Sequence, residues 1–297
     1  VSENEEKEKN LQSKNNSENN KITEVKKDKK KENKMGFIST LFSVPVVSRR
    51  AWKVWHRNAD VFMKTYKTNF IPPFIEPILY LAGLGFGLGG FVSEIDGLSY
   101  AVFLAPALIA ISVMNTASGE NTYASYVRMS FQKTFDAIIA TPVSIEDVIA
   151  GEMLWGATKS LINATIMLVV IGAFGLLLSP LAILIIPLSM FVGLVFASIS
   201  MCFTALVPNI DSFNYYFFLF VTPMFIFSGT FFPISSMPKV VQQIAFFLPL
   251  TPAVTTMRAL ATGNVSIDLV FSLLYLLILL VFFFVFAINL MKRRLII

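Results

Sequence analysis

From about Phe70 to the C-terminus the chain alternates between long apolar runs and short polar breaks. Six runs, Phe70–Phe91, Tyr100–Ser118, Met153–Leu178, Leu181–Val207, Phe213–Phe232 and Ile267–Leu290, approach or exceed the roughly 20 mainly apolar residues that a helix needs to cross a bilayer. The last is almost pure Leu, Phe, Val and Ile. Two of the breaks are unusual. Glu120 to Glu152 is long and charged, and it predicts an exposed loop between spans two and three. Pro233 to Ser266 is apolar (Val240, Val241, Ile244, Phe246, Phe247, Leu248, Leu250) yet cut by Pro233, Pro238, Pro249 and Pro252 into pieces too short to span. Such a pattern predicts a re-entrant or interfacial segment, because irregular backbone at membrane depth persists only against protein or a water-filled cavity. Both a pathway exit and an amphipathic hairpin lying on the surface fit it.

Ahead of the first span, Ser48 to Tyr66 carries a helical period. At about 100° per residue, Trp52, Trp55, Ala59, Phe62, Met63 and Tyr66 fall within about 50° either side of one direction. Arg50, Lys53, Arg57, Asp60 and Lys64 cluster on the other half, with Ser48 as the expected N-cap. A basic amphipathic helix with tryptophans on its apolar edge is the pattern of a helix lying in the membrane interface, and it is assigned to 45–68. In the charged loop, Asn121 to Ala140 predicts a helix with Phe131, Phe135, Ile138 and Ile139 on one side and Arg128, Lys133 and Asp136 supplying charge. Thr141-Pro142 ends it, since a residue before proline avoids the helical region. Ser144-Ile-Glu-Asp147 then reads as a capped start for the helix entering span three.

Composition agrees with a membrane protein: 55% of the 297 residues are hydrophobic and mean hydropathy is +0.67. Residues 1–34 are the exception, with ten Lys against eight Asp and Glu and few apolar residues. A segment of this kind cannot bury enough surface to order itself and is expected to be a disordered tail. Its small positive excess implies no nucleic-acid partner. Val1 reads as a non-ATG start, with Met35 as the alternative. No apolar core marks a cleavable signal peptide, so the first span is expected to direct insertion. Lys and Arg crowd before span one and after span six (Lys292, Arg293, Arg294), which places both termini in the cytoplasm of a multi-pass protein of the cell membrane. Lys239 and Arg258 would then be external.

Chemistry-bearing patterns are few. Cys202 and His56 are each the single residue of their type, which excludes an intrachain disulfide and a Cys/His metal site. Gly85-Phe-Gly87-Leu-Gly89-Gly90 satisfies G-x-G-x-x-G, but no strand precedes it, and its small-xxx-small spacings predict helix packing instead. Gly151 to Ser160 resembles a phosphate-binding loop with two residues too many and reads as the start of span three. No nucleotide site and no catalytic set is visible. Glu76, Lys159 and Asn163 are the polar groups inside spans, Lys159 being expected to snorkel or to pair with Glu152 or Glu76. A lone Glu76 lacks the matching half that an ion-coupled secondary transporter or channel, the alternative reading, would show. A membrane enzyme would require clustered polar groups that the sequence does not contain.

The run Arg128-Met-Ser-Phe-Gln-Lys133-Thr-Phe-Asp136-Ala-Ile-Ile-Ala-Thr141-Pro142 resembles the cytoplasmic coupling segment of ABC-2 type transporter permeases. Phe103-Leu-Ala-Pro106-Ala, Phe227-Ser-Gly229-Thr-Phe-Phe-Pro233-Ile-Ser-Ser-Met-Pro238, Leu248-Pro-Leu-Thr251-Pro and Arg258-Ala-Leu follow in the family's order. The resemblance covers 45–297 and is nearest to the branch of nodulation-factor, polysaccharide and daunorubicin-type drug exporters. It implies an all-α integral membrane fold, with the interface helix, six transmembrane helices within 69–297, and a re-entrant segment between spans five and six. It implies a homodimer of permeases in the lipid bilayer, driven by two separate ABC ATPase subunits that hold the ATP and Mg. This chain would carry no cofactor of its own. Arg128, Phe131, Lys133, Phe135, Asp136, Thr141 and Pro142 would contact the ATPase. The interface helix, with Trp52, Trp55, Phe62, Arg50, Lys53 and Arg57, would transmit its motion. Ser228, Gly229, Pro233, Pro238 and Arg258 would line the exit. Replacing Phe135 or Asp136 is expected to leave folding intact and to uncouple export.

Overall fold

A computed structural model describes residues 43–296 except 93 and 96; the charged tail and Met35 lie outside the described residues. Residues 45–297 group as one compact unit. The described residues are helical in their long apolar runs. Helix α1 is Ala51–Lys64. Helix α2 is Tyr66–Tyr80, carried on by a π-helical stretch at Leu81–Gly87. Helix α3 runs Tyr100–Phe131. The short α4 is Thr134–Ile139, and α5 is Ile145–Ala173. Helices α6 and α7 are Pro180–Leu206 and Ile210–Phe227. Then come α8 (Lys239–Phe247), α9 (Leu250–Thr262) and α10 (Asp268–Ile296).

Six stretches are long and apolar enough to cross a membrane: Pro73–Gly90, α3, α5, α6, α7 and α10. They are the six that the apolar runs predict, with different ends at the charged loop. Span two does not stop at Ser118. It continues through π-helical turns at Glu120–Ala124 and Val127–Phe131. Span three begins at Ile145, before the predicted Met153. Most of the stretch from Glu120 to Glu152 is therefore long helix. The physical reason is that its polar side chains find partners inside the bundle. The buried Glu120, Ser125 and Glu152 join Arg128 and Lys159 in one network, while the buried Asn121 and Thr122 donate to the carbonyls of Ala117 and Ser118. Polarity in sequence marked an internal network rather than an exposed loop.

The core lies where α3, α5 and α6 cross. From Tyr100 to Met114 every residue of α3 is buried. Close approach needs residues without a side chain. A Cβ on Gly193 of α6 would sit 2.9 Å from Ser160 Cβ of α5. The glycines that mimic a phosphate loop have the same use, Gly156 facing the Asn121 amide and Gly151 facing α1. Of the small-residue spacings in span one, Gly85 meets Ala101 of α3, at 3.6 Å from its would-be Cβ, whereas nothing lies within 4 Å of Gly83.

Between spans five and six the proline-cut segment forms two helices, α8 and α9, bent by 88° at their junction. Pro249 stands at that junction, and Gly263, at φ +84°, ends α9 in the left-handed conformation that suits glycine. Helix α9 packs its buried face on α3 and α10. A helix pair bent this sharply is the geometry of a broken span or of a re-entrant segment, with most of α9 buried and only Ala245 buried in α8.

Candidate functional site

At one end of the bundle, four ionised side chains of α3 and α5 meet. Arg128 donates through Nε to Glu152 Oε2 at 2.9 Å and through Nη1 to Glu120 Oε1 at 2.8 Å. Lys159 donates to the other Glu120 oxygen at 2.9 Å. Ser125 Oγ and Asn58 Nδ2 complete the Glu152 carboxylate, each at 2.8 Å. Glu152 is fully buried, and the Arg128 side chain is 14% exposed. Charges taken this far from water persist only when paired and hydrogen-bonded. Lys159 thus pairs with Glu120, rather than with Glu152 or Glu76 as the sequence suggested. Its neighbour Asn163 donates to Thr116 Oγ1 at 2.7 Å. Glu76 is half-buried in span one and forms no ion pair among the described residues.

Helix α1 is seated on α5. Its buried strip is Ala51, Val54, Asn58 and Phe62, one flank away from the predicted tryptophan arc. Trp52, Met63 and Tyr66 remain exposed. A Cβ on Gly151 would lie 2.7 Å from both Ala51 O and Val54 Cβ, so α1 touches the α5 backbone. Trp55 Nε1 donates to Thr158 Oγ1 at 2.9 Å, and Phe62 packs edge-on against Trp155 with centroids 5.5 Å apart. Arg50 is the backbone N-cap of α1, and Ser48 Oγ accepts from the Arg50 N–H at 3.2 Å. The Ser48 N–H and Oγ also donate to the Asp147 carboxylate of α5, at 2.6 and 2.8 Å. Arg50 donates to the Pro142 carbonyl, and Lys53 is exposed. Burial lowers the affinity of the Arg57 guanidinium for its proton; Glu152 opposes this shift and Arg128 adds to it.

The connection between α3 and α5 turns at Lys133, whose φ of +53° is the one positive value outside glycine among the described residues. Helix α4 follows and buries Phe135 completely. Phe131, Lys133, Asp136, Thr141 and Pro142 are exposed. Ser144 caps α5 by accepting from Asp147 N–H at 3.2 Å, as the sequence predicts. Of the seven residues assigned to an ATPase contact, five are on the surface; Arg128 and Phe135 point inward.

Toward the opposite end of α3, Arg258 of α9 reaches across two elements. Its Nε donates to Phe103 O at 3.1 Å, its Nη2 to Gly229 O at 2.9 Å, and its guanidinium lies 3.7 Å above the Phe103 ring centre. Pro106, one turn along α3, supplies no N–H to the helix and loosens the ladder there. Ser228 is buried, and Pro233 and Pro238 flank the turn leading to α8. Arg258 is therefore a half-buried strut between α9, α3 and the turn after α7. Sequence reasoning missed Glu120 and Asn58 as partners. A signal existed in the four charges Glu120, Arg128, Glu152 and Lys159, which fall on the facing ends of two consecutive spans.

A cavity of about 670 Å³ opens beside the network, with Arg57, Arg128, Lys159, Asn115, Asn163 and Trp155 among its walls. Among the described residues no group of three or more His, Cys, Asp or Glu is placed to hold a metal.

Six apolar helices, a broken helix pair and a network of charges at one end define a helical membrane protein. The ABC-2 type transporter family profile matches residues 49–262. Nodulation protein J of Sinorhizobium fredii is 34% identical over 242 residues, 82% of this chain and 92% of that protein. Nodulation protein J of Rhizobium leguminosarum bv. viciae is 36% identical over the same length, 82% of this chain and 93% of its own. The inner membrane transport permease YadH of Escherichia coli is 22% identical over 81% of this chain and 93% of its own length. The chain belongs to the ABC-2 type transporter family and is the membrane-spanning component of a transporter.

Proposed function

We propose that this chain is the permease of an ATP-driven exporter, in which two copies work with two separate ATPase subunits that bind ATP and Mg. The substrate class is an amphiphile of the drug, lipid or glycan type. The match to the ABC-2 type transporter family and to the relative named inner membrane transport permease YadH supports a transport role for this scaffold. One observation carries the coupling: the exposed loop is tied into the helix ahead of the membrane. Arg50 holds Pro142, Ser48 holds Asp147, and Asn58 holds Glu152. A push on α4 would therefore move α1 and α5 as a unit. Lying in the cytoplasmic interface of the cell membrane, α1 would convert that push into a tilt of spans two and three, and substrate would leave between two copies past the α8–α9 segment. Both chain termini are then cytoplasmic.

The test is co-purification with the ATPase encoded beside this chain, followed by transport in sealed vesicles. ATP-dependent export that requires both proteins supports the reading. Sustained transport by this chain alone, driven by an ion gradient, would overturn it.

A further inference from the structure

The polar cavity beside the ion network holds more positive charge than the network neutralises. Three cations, Arg57, Arg128 and Lys159, line it. Two carboxylates, Glu120 and Glu152, oppose them, and both are committed to Arg128 and Lys159. Arg57 is the surplus. One of its N–H groups goes to Asn58 Oδ1 at 3.0 Å, and a guanidinium has five donors. Lys159 likewise has three ammonium donors, one of which is on Glu120. Asn115, exposed on α3, and the half-buried Asn163 add amides to the same wall.

Depth narrows the occupant. Glu120 and Arg128 lie about 20 and 28 residues beyond Tyr100, or about 30–42 Å along a helix rising 1.5 Å per residue. A hydrocarbon core is about 30 Å thick, so this cluster stands at the headgroup level. A cavity of about 670 Å³ also lies within the size range that holds small ligands, about 300–1,000 Å³. Arginine and lysine donors converging on one space recognise tetrahedral oxyanions, with the arginine fork able to bind two oxygens at once.

We infer that this cavity is a binding site for a phosphate group at the membrane surface, held by Arg57 and Lys159. Anionic phospholipid headgroups and free phosphate compounds share that chemistry. The site is independent of the export reading, because it requires neither an ATPase nor a transported cargo.

Trp155 lines this cavity and Trp55 packs edge-on against Trp155 with centroids 6.3 Å apart, so intrinsic fluorescence reports on the cavity. The purified full-length chain in detergent is titrated with short-chain phosphatidylglycerol, short-chain phosphatidylcholine and inorganic pyrophosphate. Saturable binding of phosphatidylglycerol at least about fivefold tighter than phosphatidylcholine is expected. R57Q and K159Q should each weaken it about fivefold or more, a difference of about 1 kcal/mol on the usual scale, and R57K should restore most of it. Equal strength for pyrophosphate would identify a free anion as the occupant; binding of phosphatidylglycerol alone would identify the lipid. R57Q removes no hydrogen bond of the Glu120–Arg128–Glu152 network, so it decides the matter even if K159Q fails to fold. Wild-type affinity in R57Q, or no preference for phosphatidylglycerol and no pyrophosphate binding, overturns the assignment.

Discussion

Arg128 and Glu152, on different spans, share one buried contact: Arg128 Nε donates to Glu152 Oε2 at 2.9 Å, while Asn58 of α1 holds the other carboxylate oxygen at 2.8 Å. Three helices thus converge on a single carboxylate. In R128M that carboxylate and Glu120 would lose their main cation in a place water scarcely reaches. Removing one partner of a buried pair costs about 3–5 kcal/mol. R128M should unfold at a clearly lower temperature in detergent, followed by tryptophan fluorescence. E152Q keeps the hydrogen-bonding shape and should lose less. R128M combined with E120Q and E152Q should recover part of the loss, since no unpaired charge is left. A triple variant less stable than R128M would mean that the network is held by something other than its charges.

Gly151 sets how closely α1 lies on α5. A Cβ there would stand 2.7 Å from a backbone oxygen, which cannot rotate away as a side chain would. Overpacking of this kind costs about 1–3 kcal/mol. G151V should push α1 outward while the six spans remain assembled. The readout is maleimide labelling of a cysteine placed at Val54, 2% exposed in the native protein, with buried Cys202 as the silent background. Slow labelling in V54C and fast labelling in V54C/G151V is the expected pair of results.

Arg258 joins the broken helix pair to span two through the Phe103 carbonyl and ring, and to the turn after span five through the Gly229 carbonyl. Lysine keeps the charge but has neither the planar fork nor the stacking surface. R258K should cost about 1–3 kcal/mol, within the range for a charged hydrogen bond with a cation–π contact. It should also expose the turn at Gly229 to Pro238. Limited proteolysis in proteoliposomes would show this as a new cleavage between those residues. Unchanged proteolysis would show that other contacts of α9 hold the turn in place.

The spans were legible because apolar length is a direct consequence of bilayer thickness. The Ser144 cap and the Thr141-Pro142 break were legible because they are local backbone chemistry. The broken pair α8–α9 could be read from four prolines. The end of span two could not be read, because Glu120 and Arg128 look like loop residues until Glu152 and Lys159, more than 20 residues away, are brought opposite them. The same holds for α1. Its amphipathic period was visible, but the face it buries is chosen by Gly151 on another helix. Ser48 does bond at the start of α1, but its tie to Asp147, 99 residues along the chain, could not be read from sequence.

Phe131 and Phe135 separate the surface of the α3–α5 connection from its support. They sit four residues apart and look equivalent in sequence, yet Phe131 is 66% exposed and Phe135 is 0% exposed. An aspartate at Phe135 would place a charge among apolar groups and leave a void where the ring was. Large-to-small core changes of a Phe alone cost about 3–5 kcal/mol. F135D should therefore fail to give a monodisperse protein, contrary to the expectation from sequence that folding would survive. F131D and D136K alter side chains that face solvent, where substitutions usually shift stability by no more than about 0.5 kcal/mol. Both should elute and melt like the parent chain. If α4 is the surface on which an ATPase acts, both should also lower ATP-dependent export at least about tenfold while the six spans stay intact. Export at the parental rate in both folded variants would move the contact away from α4. Loss of export with retained ATPase binding would place the defect in transmission, through the Arg50–Pro142 and Ser48–Asp147 contacts to α1 and α5.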